Sequence, residues 1–232
     1  MTRFTGWAAA VVVGLATAAP AGAATVLFGT IGAGGNAFPF SGTFDDPGGT
    51  RYQQVYDDAK FGATGPIDIT AITFFNTSGS GDFRTATYDF FLSTSNFPVN
   101  ALDTVDLNNN PGPDQTLVGS FALTGPVGPG PITFTLTTPF TYDPADGDLL
   151  LDIHVSGATD NPFNAFLDAM NGDFGTDSSR AHDFGTGFEM FGLVTEFEFT
   201  PAGPVVPAPP AVLLGLVGAG VAGLARRRFA RA

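Results

Sequence analysis

The chain has no cysteine, one tryptophan and two histidines in 232 residues. Without cysteine there are no disulfides, no thiolate metal sites and no cysteine nucleophile. An exported form must therefore be held together by its core, which a chain of this length is able to build. Positive charge is almost as scarce. Of nine cations, Arg3, Arg226, Arg227, Arg228 and Arg231 lie in the two end segments, leaving only Arg51, Lys60, Arg84 and Arg180 between them. All 22 acids lie in that middle region, which therefore carries about −18. Such a surface repels phosphate backbones and excludes nucleic acid as a partner. Strong helix formers are also few.

What is present instead is 24 phenylalanines, 31 glycines and 18 prolines, with threonine and β-branched residues between them. Apolar and polar residues alternate with period two in several runs. In PITFTLTTPF, Ile132, Phe134, Leu136 and Phe140 share one face and Thr133, Thr135 and Thr137 the other. LLLDIHV opposes Leu149, Leu151, Ile153 and Val155 to Leu150, Asp152 and His154, and FGLVTEFEF turns Leu193, Phe197 and Phe199 inward. The phase slips near Ala71 and Ile72 in IDITAITFF, as a β-bulge would make it do. Turn-forming clusters such as NTSGSGD, GPVGPGP and DPADGD separate the runs. The expectation is an all-β chain: one antiparallel β-sandwich of jelly-roll type spanning residues 24–203.

The ends read differently. Arg3, an apolar run from Trp7 to Ala18 and the small residues Ala21-Gly22-Ala23 form the pattern of a secretory signal peptide over 1–23, cleaved after Ala23. At the other end, Ala211–Ala225 is apolar and uncharged, and Arg226–Arg228 follow at once. As a helix this run spans only ~22 Å, short of the ~30 Å hydrocarbon layer. The arginines stay on the cytoplasmic side, which puts the domain outside.

Val206-Pro207-Ala208-Pro209, the short apolar run and Arg226, Arg227 and Arg228 resemble the PEP-CTERM sorting domain of Gram-negative bacteria. Ala208 stands where that family usually has glutamate. The resemblance covers residues 204–232 and implies export, transient membrane association through the tail, and two processing partners: signal peptidase and an exosortase-type enzyme. It also implies delivery to the cell surface or extracellular matrix, with exopolysaccharide nearby. A second resemblance lies in the middle. GGTRYQQVYDDAKF, PFTYDPADGDLLLDI and GLVTEF are similar, in that order, to blocks shared by a group of PEP-CTERM proteins with no assigned activity.

Candidate sites are few. Arg51, Tyr52, Gln53 and Gln54 offer guanidinium, amide and ring groups of the kind that bind sugars, or that satisfy backbone at a sheet edge. Asp160, Asp168, Asp173, Asp177 and Asp183 crowd one loop-rich stretch and form the candidate calcium set, a solvated acidic loop being the alternative. The run from Asp106 to Asp114 lacks the glycine and glutamate of a calcium loop and reads as a turn. Asp152 and His154 share a strand face, but no nucleophile context such as G-x-S-x-G accompanies them. No catalytic residue and no cofactor other than calcium is assigned. The expectation is a non-enzymatic structural or adhesive surface protein in contact with exopolysaccharide. A calcium-dependent carbohydrate-binding module and an extracellular polysaccharide hydrolase are the alternatives.

Overall fold

A computed structural model describes residues 22–40, 50–159, 165–170, 177–183 and 192–203. The sorting-motif residues Val206, Pro207, Ala208, Pro209, Arg226, Arg227 and Arg228 lie outside the described residues, as do most of the signal segment and Asp160 and Asp173. Among the described residues no helix is long and apolar enough to cross a membrane.

Among the described residues nine strands form two antiparallel sheets: β1 Ala24–Phe28, β2 Thr50–Tyr56, β3 Ile67–Asn76, β4 Asp82–Thr94, β5 Thr116–Pro126, β6 Gly130–Tyr142, β7 Leu149–Ser156, β8 Ser178–His182 and β9 Thr195–Pro201. One sheet has the order β1-β9-β3-β6 and the other β5-β4-β7-β2-β8. The expected β-sandwich is present. The phase slip in IDITAITFF is a register shift between Ile69 and Ala71 against both neighbours of β3.

The inner faces meet through aromatic rings. Toward one end Phe134 packs against Phe40, Phe74, Phe90 and Phe121, with centroids 4.9–6.0 Å apart. Toward the other, Phe197 and Tyr56 meet edge-on at 4.8 Å, with Phe28 and Phe61 beside them. Each fully buried ring contributes on the order of 2–3 kcal/mol from removal of its area from water.

The outer faces are not left bare. The 95–115 connection lies over one half of the five-stranded sheet, where Leu102 and Leu107 pack on Val55, Leu150 and Ala181. On the four-stranded sheet, Met170 packs against Phe75 and Val194. This cover buries Leu150 and Asp152, although alternation alone turns them toward solvent.

The inward polar side chains of β2 lock the two sheets together. The Tyr52 hydroxyl donates to Gln54 Oε1 at 2.6 Å. The Gln54 amide donates to the Leu193 carbonyl at 2.9 Å and accepts from the Leu193 N–H at 2.8 Å. Tyr56 donates to Thr195 Oγ1, which donates on to the Leu193 carbonyl. Gly192 packs so closely on Gln54 that a Cβ there would overlap its carboxamide. Gly192→Ala is therefore expected to destabilise the protein by ~2–4 kcal/mol through overpacking and lost buried hydrogen bonds, read as a lower urea midpoint at unchanged slope.

Candidate functional site

The β2–β7 and β4–β7 registers place Arg51, His154 and Asp89 in one row across the outer face of the five-stranded sheet. Gln53, Asp152 and Phe91 stand in the next. Period-two geometry points all six outward, and the 95–115 connection walls one side of the patch. Asp152 is its centre. Its carboxylate accepts from Arg51 Nε at 2.9 Å, Arg51 Nη2 at 2.5 Å and Gln115 Nε2 at 3.0 Å, and His154 Nε2 lies 3.3 Å away. Arg51 Nη1 donates to Asn108 at 2.7 Å. The His154 ring sits 4.8 Å from that of Phe91, and its side chain is 43% exposed while that of Asp152 is 1% exposed. Leu117, paired with Phe91, is exposed beside them.

Burial alone would raise the Asp152 carboxyl. The Arg51 hydrogen bonds, followed by the contact with His154, outweigh it and hold the group below the ordinary carboxylate range. The result is a fixed, ionised carboxylate that orients a guanidinium, an amide and an imidazole next to an aromatic ring. Asp152 and His154 are joined as their spacing suggests. Hydroxyls on this face include Ser156 and Thr87, paired two residues along from His154 and Asp89, and Ser120, opposite Asp89 on β5. Ser120 stands two strands from His154, about 9–10 Å at ordinary strand spacing, beyond the reach of a nucleophile–base hydrogen bond.

The remaining candidates fall out as follows. Of the RYQQ set only Arg51 reaches this surface. Tyr52, Gln53 and Gln54 are fully buried, so they cannot form a sugar-binding strand face. Gln53 donates to the Leu107 carbonyl and accepts from Asn110, pinning the 95–115 connection. Their amides serve backbone and connection, the structural option for that stretch.

The described members of the proposed calcium set, Asp168, Asp177 and Asp183, do not converge either. Asp168 is buried and accepts from Gly32 N, Thr77 N and the Thr77 hydroxyl at 2.7–3.1 Å, a structural staple. Asp177 pairs with Lys60. The Asp183 amide donates to the Arg51 carbonyl, which puts Asp183 at the far end of β8 from Asp177, about 20 Å away. No single ion reaches both. In the 106–114 turn, Asp106 and Asp114 accept from backbone amides of Asn108 and Thr94.

Carboxylates do converge elsewhere. Ligand oxygens of Asp57, Asp58 and Asp148 all lie within 4.8 Å of one another. Asp148 accepts from Asp58 N and Val99 N, and Asp57 caps the short 3₁₀ turn Asp58–Phe61. Desolvation, then the charges of Asp148 and Asp57, push the Asp58 carboxyl upward. These hard oxygens suit a divalent cation, which takes six to eight such ligands as Ca²⁺. The sequence signal was the pairing of Tyr56 with Leu149, which sets VYDD against DGDLLL. That register is not legible from either block alone.

Asp152→Asn is expected to cost ~2–3 kcal/mol at pH 7 by leaving Arg51 without its counter-charge. The acid limb carries a second signature. Below the ordinary carboxylate value of ~4 the unfolded chain takes up the proton first, so the stability Asp152 supplies is complete above that pH and is lost as pH falls through its depressed value. Urea midpoints across a pH series should show a flatter acid limb in the variant. Comparison with known proteins leaves the site to speak for itself: no family model, curated protein or solved structure matches the chain.

Proposed function

We propose that this is an exported, non-enzymatic surface or matrix protein whose β-sandwich contacts hydroxyl-rich polysaccharide. The observation that carries the reading is the Asp152-centred patch. Sugars are held by preorganised charged and amide groups that pair with hydroxyls, together with an apolar ring face for the C–H side. Arg51, Gln115, Asn108 and Asp89 supply the first, and Phe91, His154 and Leu117 the second. We read the strand order β1-β9-β3-β6 over β5-β4-β7-β2, with β8 added at the edge, as a jelly roll, an architecture used by lectin domains. The fold supports the reading and does not decide it.

Charge narrows the polymer. The four cations of the domain are drawn inward: Arg84 and Arg180 are buried, and the Arg51 and Lys60 side chains are 16% and 32% exposed in ion pairs. The outer surface is left acidic, so a neutral polysaccharide fits, whereas an acidic one needs bridging divalent cations. The convergence of Asp57, Asp58 and Asp148 favours the calcium-dependent module as the second reading.

Routing follows the sequence: a signal segment ending at Ala23, and a PEP-CTERM-like tail from residue 204 handled by an exosortase-type enzyme. The first strand begins at Ala24, so cleavage after Ala23 leaves the sheet whole.

On a glycan array the exported protein is expected to bind neutral polysaccharides, and Phe91→Ala with His154→Ala to weaken that binding at least ~10-fold, about 1.4 kcal/mol, with the fold retained by circular dichroism. Loss on chelation would favour the calcium-dependent module, absence of all binding would withdraw the sugar reading, and release of reducing ends would favour the hydrolase. Intact-mass measurement of the exported protein is expected to show an N-terminus at Ala24 and loss of residues from the VPAP region onward. A full-length C-terminus retained in the inner membrane would replace sorting by permanent anchoring.

A further inference from the structure

The two tethers of the domain leave from the same place. Ala24, the first residue of β1, pairs with Phe199 of β9, and Pro201 at the end of β9 pairs with Ile67, the first residue of β3. Ile67 pairs in turn with Tyr142, the last residue of β6, and Ala202 N donates to the Pro66 carbonyl at 2.9 Å. The start of β1, the end of β9 and the 3₁₀ turns Asp58–Phe61 and Pro144–Asp146 therefore share one end of the sandwich. The turns Asn76–Asp82 and Pro126–Gly130 close the opposite end.

We infer that the end carrying Ala24 and Gly203 is held against a lipid surface while either apolar segment is embedded, and that the opposite end always projects away. The inference rests on the export-and-tail reading above and adds to it an orientation.

Magnitudes decide the point. From Ala18, the end of the first apolar run, to Ala24 there are six residue steps, which reach at most ~22 Å. From Gly203 to Ala211, where the second run begins, there are eight, at most ~29 Å. Strand β6 alone, 13 residues from end to end, is roughly 40 Å long. Neither tether at full stretch covers the length of the sandwich, so the domain cannot invert on its anchor. Before cleavage after Ala23, two tethers emerging one strand apart also restrict tipping. The same end carries Asp57, Asp58, Asp143, Asp146 and Asp148. Anionic headgroups therefore repel it. Salt or a divalent cation brings the end closer.

The absence of native cysteine makes the test direct. Thr64→Cys places a single thiol at the tethered end and Ser80→Cys one at the opposite end, both at exposed turn positions. The full-length chain is reconstituted in phosphatidylcholine–phosphatidylglycerol vesicles and labelled with a thiol-reactive fluorophore. Flotation reports whether it binds, and a headgroup-attached spin label reports which end is near. The expected result is flotation with quenching severalfold stronger at position 64 than at position 80, the difference growing with added salt. Flotation with equal or reversed quenching overturns the orientation and leaves the tail reading standing. Failure to float overturns both.

Discussion

Strand β2 is polar on both faces, and the sandwich is organised around meeting that demand. A buried amide left without partners costs on the order of 1–3 kcal/mol, and β2 buries two in succession. The inward one, Gln54, takes both the N–H and the C=O of Leu193, so a side chain completes what a strand partner would otherwise supply. That fixes residues 192–195 and, through Thr195, the start of β9. The outward one, Gln53, holds the Leu107 carbonyl and Asn110, and Asn110 in turn accepts from the Asp103 amide and donates to its carbonyl. One seven-residue strand thus anchors segments more than 50 and nearly 140 positions away. The three sequence blocks RYQQVY, DGDLLLDI and GLVTEF meet here as one interlocked unit. Gln54 pins the third through Gly192 and Leu193, while Arg51 pins the second through Asp152.

This explains which parts were legible in the sequence. β6 and β9 have one packed and one open face, so Phe134, Leu136, Phe197 and Phe199 announce their burial by simple alternation. Alternation also gave the shared face of Asp152 and His154. It failed for β7, because the cover from residues 95–115 makes its outer face a second interior. The clue was Phe97, Val99, Leu102 and Leu107 in a stretch rich in turn residues, and nothing local says where they land. β8, read as SSRAH, has no apolar pattern and is buried throughout, since its surroundings and not its composition decide its exposure. The calcium reading rested on sequence proximity within residues 160–183. Proximity was the wrong measure, because β8 holds Asp177 and Asp183 at opposite ends while strand pairing brings Asp57, Asp58 and Asp148 together from 90 positions apart.

Charge placement is the second constraint. With four cations for 22 acids between the end segments, three of the cations have a visible structural task. Arg51 neutralises the buried Asp152. Lys60 pairs with Asp177 and sits over the Phe28 ring at 5.2 Å, and Arg180 lies 5.9 Å from the centre of Tyr52. Drawing the positive groups inward concentrates the negative ones outside, which maintains solubility and disfavours polyanions. A recognition surface on such a protein has to work by hydrogen bonding and ring contact, with charge confined to groups already neutralised in place. The proposed Asp152 patch has that character, because its carboxylate accepts from Arg51 and Gln115, with His154 3.3 Å away.

The same two strands that build the patch also set its position relative to the tethered end. In the β2–β7 ladder Tyr56 pairs with Leu149 beside the Asp57–Asp58–Asp148 cluster, and Arg51 pairs with His154 five residues along. At ordinary strand rise that separates the acidic end from the patch by about 17 Å. With the acidic end toward the lipid, the patch stands that much farther out and faces sideways from the sheet, clear of the headgroups. The proposed recognition and the proposed anchoring then do not compete for surface. A shift of two residues in the β2–β7 register would keep every side chain on its face, yet it would part Arg51 from Asp152 and scatter the three carboxylates. The Gln54–Leu193 lock fixes β2 from the opposite face and Arg51–Asp152 ties β7 to it, so the buried amide that organises the core also holds one side of the outer surface in place.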